Sequence, residues 1–154
     1  MSNLLETSLP FNPTQRQLSW LDAQLEATKH VTGDALTRYQ AGGESSLYGL
    51  PMADIVRAIP AAAGLSSYVS LGMSKISPKT LTDYLGRQAF QYRSTKRGSI
   101  RPYNGKIYVS GIPECYLDIN GAPIPEGFPI VSLVFEKSTS WRVTVRQSMR
   151  PPKA

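Results

Sequence analysis

The sequence predicts an α+β protein: a small helix–β-hairpin–helix unit, a connecting helix, and an antiparallel β-rich C-terminal module. Three observations carry that expectation. Helix-start residues followed by leucines at helical spacing occupy residues 12–33. Asn-Gly occurs at 104–105 and again at 120–121, both times between strand-like arms. The stretch "IVSLVFEKSTSWRVTVRQ" alternates apolar and polar side chains on either side of a short polar break.

The first helix is expected to start at Asn12, whose side chain can accept an orphan N–H, with Pro13 at the first helical position. Leu18, Leu21 and Leu25 form its apolar stripe beside Trp20. Gly33 is the expected left-handed stop, with Lys29 and His30 where the helix dipole favours cations. "ALTRYQAGGESSLYGL" then reads as a hairpin turning at Gly42-Gly43, because glycine takes the positive φ that a tight reversal needs. A short second helix is bounded by Pro51 and Pro60, with Met52, Ile55, Val56 and Ile59 on one face. Residues 61–76 fit a linker by their small side chains and a core segment by Leu65, Tyr68, Val69 and Leu71. Ser77 and Pro78 open a third helix carrying Leu81, Tyr84 and Leu85 on one side.

Beyond residue 98 the pattern is β. Arms around Asn104-Gly105 and Asn120-Gly121 read as hairpins, the second weakened by Pro123, which cannot donate to a ladder. In the last pair, Val131, Leu133 and Phe135 are expected to face Trp141, Val143 and Val145, with Arg142, Thr144 and Arg146 on the other side. The expected result is one sheet of roughly five to six strands.

Composition narrows the function classes. The chain has 154 residues, 41% hydrophobic and 18% charged, as a folded domain should be. No apolar run approaches a membrane span, and the first ten residues do not read as a signal peptide. Cys115 is the one cysteine, so no internal disulfide can form; it reads as a packing side chain rather than a nucleophile. The charge is unevenly placed: residues 1–70 carry a net −2 and residues 71–154 a net +8. That asymmetry points to phosphate or to an acidic partner protein.

No catalytic residue, cofactor site or metal site is expected. His30 has no second His or Cys near it, no nucleophile elbow or phosphate-binding loop occurs, and Asp22/Glu26 read as a solvated helix face. One constellation stands out, "RQAFQYRSTKRGSIRPYNGK". It gathers Arg87, Arg93, Lys96, Arg97, Arg101 and Lys106 without an acidic residue, interleaved with Phe90, Tyr92 and Tyr103. Cations can neutralise phosphates and aromatics can stack on bases; the competing reading places the aromatics in the core. The "MRPPKA" end adds Arg150 and Lys153 on a Pro-stiffened segment.

Over residues 14–60 the order of a leucine-rich helix, Thr32-Gly33, an arm with Leu36, Tyr39 and Gln40, Gly42-Gly43 and Asp54-Ile55 resembles the W-type head-to-tail joining proteins of tailed bacteriophages. The resemblance covers under a third of the chain, and Pro60 cuts the second helix short. It implies a non-enzymatic virion neck connector, assembled in the host cytoplasm as a homo-oligomeric ring, with a dodecamer as one candidate size. The implied partners are further copies of itself, the portal protein, a downstream neck or tail protein, and packaged DNA in the channel, with no membrane. Tyr39 and Tyr48 are then candidate subunit contacts, or alternatively close the subunit's own small core. The implied division is a joining-protein-like unit over 1–62, a linker and connecting helix over 63–90, and a basic β module over 91–154. The alternative function is a soluble protein that binds single-stranded nucleic acid through residues 87–106.

Overall fold

The computed structural model describes residues 4–41, 64–74, 78–93 and 98–149. Among these it is α+β, with three helices and seven strands: β1 (Leu4–Pro10), α1 (Gln15–Ala41), α2 (Ser67–Ser74), α3 (Pro78–Arg87), β2 (Ala89–Arg93), β3 (Ile100–Tyr103), β4 (Lys106–Val109), β5 (Tyr116–Asp118), β6 (Ile130–Lys137) and β7 (Trp141–Ser148). The strands form two antiparallel sheets rather than the single sheet expected. One has the order β1-β7-β6-β2 and the other β3-β4-β5.

The start of α1 shifts from the expected cap. Thr14 Oγ1 accepts from the Gln17 N–H at 3.2 Å, and Gln17 Oε1 accepts from the Thr14 N–H at 3.1 Å. This reciprocal capping box satisfies two donors and fixes where the helix begins. Asn12 does other work: its N–H donates to the Asp118 carbonyl at 2.9 Å and its side-chain amide to Asn120 Oδ1 at 2.8 Å.

Helix α1 also runs past Gly33 to Ala41, so the expected stop is wrong. A glycine inside a helix costs only about 1 kcal/mol, which the burial of Val31 and Thr32 on the preceding turn can offset. Leu36, Tyr39 and Gln40 are therefore on helical backbone, where a hairpin arm was expected. Gly42-Gly43, Tyr48, Asp54-Ile55 and the Pro51–Pro60 helix lie outside the described residues. Lys29 and His30 become mid-helix residues; Lys29 Nζ donates to Gln88 Oε1 at 3.2 Å, and His30 lies 3.6 Å from Glu26, both exposed.

The leucine stripe behaves as expected. Leu21 and Leu25 are buried, Leu18 and Trp20 pack at the margin, and the Trp20 ring meets Phe90 and Phe135 edge-on. Residues 64–74 resolve to core: Val69 and Met73 are buried on α2. Gly72 lets this helix lie directly on β2, since a Cβ there would collide with the Gln91 carbonyl. Gln91 Nε2 returns a hydrogen bond to the Gly72 carbonyl at 3.2 Å.

Helix α3 starts at Pro78 as expected. Its Tyr84 packs with Ala89 and Val134 in a small cluster of its own, whereas Leu85 is exposed rather than part of that face. The β6–β7 pair has the expected faces, with Leu133 opposite Val145 and Phe135 opposite Val143, all buried. Val131 departs from the pattern: it is the extra residue of a bulge between Ile130 and Ser132 and is only partly buried. β1 was not expected, and it pairs along its whole length with β7. One continuous core joins both sheets to α1 and α2, with Phe90, Tyr92, Ile107, Leu117, Phe135 and Val143 among its buried members.

Candidate nucleic-acid interface

The three-stranded sheet turns one side to the core and the other to solvent. Its register sets Arg101 opposite Tyr108 and Tyr108 opposite Tyr116, with Tyr103 opposite Lys106 and Lys106 opposite Asp118 in the next row. Side chains alternate across a strand, so Ile100, Ile107, Val109 and Leu117 are buried. Arg101, Tyr103, Lys106, Tyr108, Tyr116 and the half-buried Asp118 are on the outer side. Tyr103 is 50% exposed and Tyr116 37%, too much for rings that belong to a core.

These groups touch one another. The Arg101 guanidinium lies 4.8 Å from the Tyr108 ring centroid, a cation–π distance. Tyr116 is 5.5 Å from Tyr108 and 5.7 Å from Tyr103, so the three rings form a connected strip. Among the described residues, neither Arg101 nor Lys106 makes an ion pair.

The platform is built from below by its turns and from one side by α1. Asn104 and Gly105 have φ of 49° and 76°, the pair of positive values that a two-residue reversal needs. Asn120 and Gly121 repeat this at 56° and 70°, but residues 122–124 do not form a strand, so the second expected hairpin is a turn only; Pro123, with no N–H to donate, leaves that arm without a ladder. The Gly121 N–H donates to the Gly105 carbonyl at 3.2 Å and locks the two turns together. Gln17, buried in the first turn of α1, donates to the Pro113 carbonyl at 3.0 Å and the Tyr116 carbonyl at 2.6 Å. Those bonds hold the outer strand in place.

The basic run foreseen in the sequence is divided by the fold. Arg87, at the end of α3, is bound to Asp83 at 3.1 Å and Glu136 at 2.7 Å. Burial pulls its pKa down, but the bonds to Asp83 and Glu136 outweigh that and leave it raised. Arg93 ends β2 and is partly exposed. Lys96 and Arg97 lie outside the described residues. Of the four that lie among the described residues, Arg101 and Lys106 are brought onto the aromatic face. Phe90 and Tyr92 are wholly buried, as the core reading had it; the Tyr92 phenol donates to the Ser110 carbonyl, and its ring stacks on Tyr68 at 4.9 Å.

Tyr108 and Tyr116 lie beyond the basic run of residues 87–106. Their signal was alternation: Tyr108 stands two residues from Lys106, and Tyr116 begins the arm before Asn120-Gly121.

Two recesses flank Lys106. One, of about 400 Å³, lies between the two Asn-Gly turns and includes Pro102, Tyr103, Ile119, Ala122, Ile124 and Glu126 in its lining. The other, of about 240 Å³, is bordered by Thr14, Gln17, Glu114, Tyr116 and Asp118. Asp22 pairs with Lys137 at 2.9 Å and Glu26 lies exposed 3.6 Å from His30, so those carboxylates belong to a solvated face. Among the described residues no group of three or more His, Cys, Asp or Glu is placed to hold a metal ion, and no helix is long and apolar enough to cross a membrane. No protein-family model matches the chain, and no curated protein compared with it matches either.

Proposed function

We propose that the protein is a non-enzymatic binding module that receives single-stranded nucleic acid on the outer side of β3, β4 and β5. The observation that carries this reading is Arg101, without an ion pair among the described residues, stacked on Tyr108 and continued by Tyr116 and Tyr103, with Lys106 beside them. Exposed rings offer stacking area that every base can use, and the two cations meet the phosphates between bases. Neighbouring strands are about 4.8 Å apart, so a three-strand row gives room for two or three stacked bases. The test is fluorescence anisotropy with oligonucleotides of about 12 residues. Tyr116→Ala should weaken binding by about fivefold or more, as the loss of one stacking platform does. The salt slope should drop by about 0.7 when Arg101 or Lys106 becomes Ala, one phosphate contact each. Affinity unmoved by all three changes rejects the platform.

The resemblance of residues 14–60 supports a second reading, a neck connector of a tailed bacteriophage. Its leucine-rich first helix keeps Leu21 and Leu25 buried, although it continues through Gly33 to Ala41 where the resemblance has a helix end and a hairpin arm. On this reading the chain forms a ring beneath the portal, extends the DNA channel and docks the next neck or tail protein, with Arg101 and Lys106 toward DNA or an acidic neighbour. Negative-stain imaging of the purified protein, alone and with portal protein, separates the two. Rings support the connector, and a monomer that binds oligonucleotides supports the free module.

A further inference from the structure

The recess between the two Asn-Gly turns opens beside the aromatic strip and shares Tyr103 and Lys106 with it. Its walls are mixed in a specific way. Ile119, Ala122, Ile124 and Pro102 supply apolar surface, while Lys106 and Glu126 stand as opposite charges among the lining residues. The walls are also held firmly. Gln147, fully buried on β7, donates from Nε2 to the Pro125 carbonyl at 2.8 Å and the Phe128 carbonyl at 2.9 Å. Those two bonds fix the loop that carries Glu126, and the Gly121–Gly105 bond fixes the opposite wall. A space of about 400 Å³ is in the range of small-molecule sites and large enough for one planar heterocycle.

We propose that this recess takes one base of the strand lying on the sheet, and that it selects bases carrying an exocyclic amino group. The inference rests on the platform reading, which brings a strand past Tyr103. A base turned off the strip at Tyr103 enters between apolar walls, its phosphate stays near Lys106, and its amino group donates to the Glu126 carboxylate. Carboxylates accept from amino groups such as the cytosine N4, and thymine has no amino group to offer. Single-stranded bases are read in this way, on edges that a duplex would hide.

The experiment compares homopolymers of about 12 residues of deoxycytidine, deoxyadenosine and deoxythymidine, bound to the full chain and to two variants. The wild type should bind the cytidine and adenosine strands at least about tenfold more tightly than the thymidine strand, the worth of one hydrogen bond to a charged acceptor. Glu126→Ala should remove that preference while leaving thymidine binding within about twofold. Ala122→Phe, which fills the recess, should do the same by a different route. Equal affinities for all three strands, unmoved by either substitution, overturn the base pocket and leave the platform standing; an apolar side chain of a protein partner is then the better occupant. Failure of every strand to bind overturns both.

Discussion

Gln17 Nε2 donates a 2.6 Å hydrogen bond to the carbonyl of Tyr116, so the first turn of α1 is fastened to the outermost strand of the three-stranded sheet. The same side chain caps its own helix through Thr14 and holds Pro113. Replacing Gln17 with Ala leaves two partly buried carbonyls without this donor and removes half of the capping box. The expected loss is about 1–3 kcal/mol in urea denaturation, from unmade partly buried bonds and a weakened cap together. Because Tyr116 loses its anchor, oligonucleotide binding should weaken in the same variant under conditions where it remains folded.

Gly72 and Gly86 are both helical glycines and should respond oppositely to alanine. At Gly72 the added Cβ would meet the backbone of Gln91, which cannot step aside. At Gly86 nothing lies within 4 Å. Thermal denaturation should show Gly86→Ala stabilising by about 0.5–1 kcal/mol and Gly72→Ala destabilising by about 1–3 kcal/mol, as overpacking does.

Alkaline pH should unfold the protein through its buried phenols. Burial, then Tyr68, Cys115 and Tyr108, pushes the Tyr92 pKa well above the ordinary 10.0. Burial also raises Tyr84, against the lowering pull of Arg146 and Arg87. In the unfolded chain these phenols ionise near pH 10, whereas in the fold they hold their protons longer. Their contribution is thus complete below about pH 10 and is lost as pH rises toward the folded values. Urea midpoints should be flat from about pH 8 to 9 and fall above 10. Tyr92→Phe should cost about 1 kcal/mol at neutral pH, by orphaning the Ser110 carbonyl, and should make the alkaline fall shallower.

Arg87 and Arg101 differ in a way that composition does not show. Arg87 is paired twice at a half-exposed site, so its removal should cost no more than about 1 kcal/mol. Anisotropy should find nucleic-acid affinity unchanged in Arg87→Ala and reduced several-fold in Arg101→Ala. Equal losses in the two variants would mean that charge in general, rather than the tyrosine strip, governs binding.

How much of this was legible depended on the range of the interactions involved. The hairpin turns at Asn104-Gly105 and between Lys137 and Trp141 were readable because adjacent residues decide them. The end of α1 was misread because a local stop signal at Gly33 yields to the packing of Val31, which only tertiary structure reveals. β1 was missed for the same reason: "LLETSLP" has weak alternation and becomes a strand because β7 offers it an edge. At the candidate site, Arg101, Lys106 and Tyr103 could be named from the run. Tyr108 and Tyr116 join them only through cross-strand register, while Arg87 is withdrawn by Glu136, a residue far along the chain.

The sheet partnership of β1 with β7 sets an order on how the molecule is made. Glu6 and Arg146, bonded across that seam, are 140 positions apart. A ribosome therefore exposes the first strand long before its mate exists, and contacts of such separation are slow to close. The early segment must wait, with its ladder groups on water, for the β6–β7 ribbon to emerge and accept it. Folding should accordingly finish in one late step that seats residues 4–10 against residues 142–148.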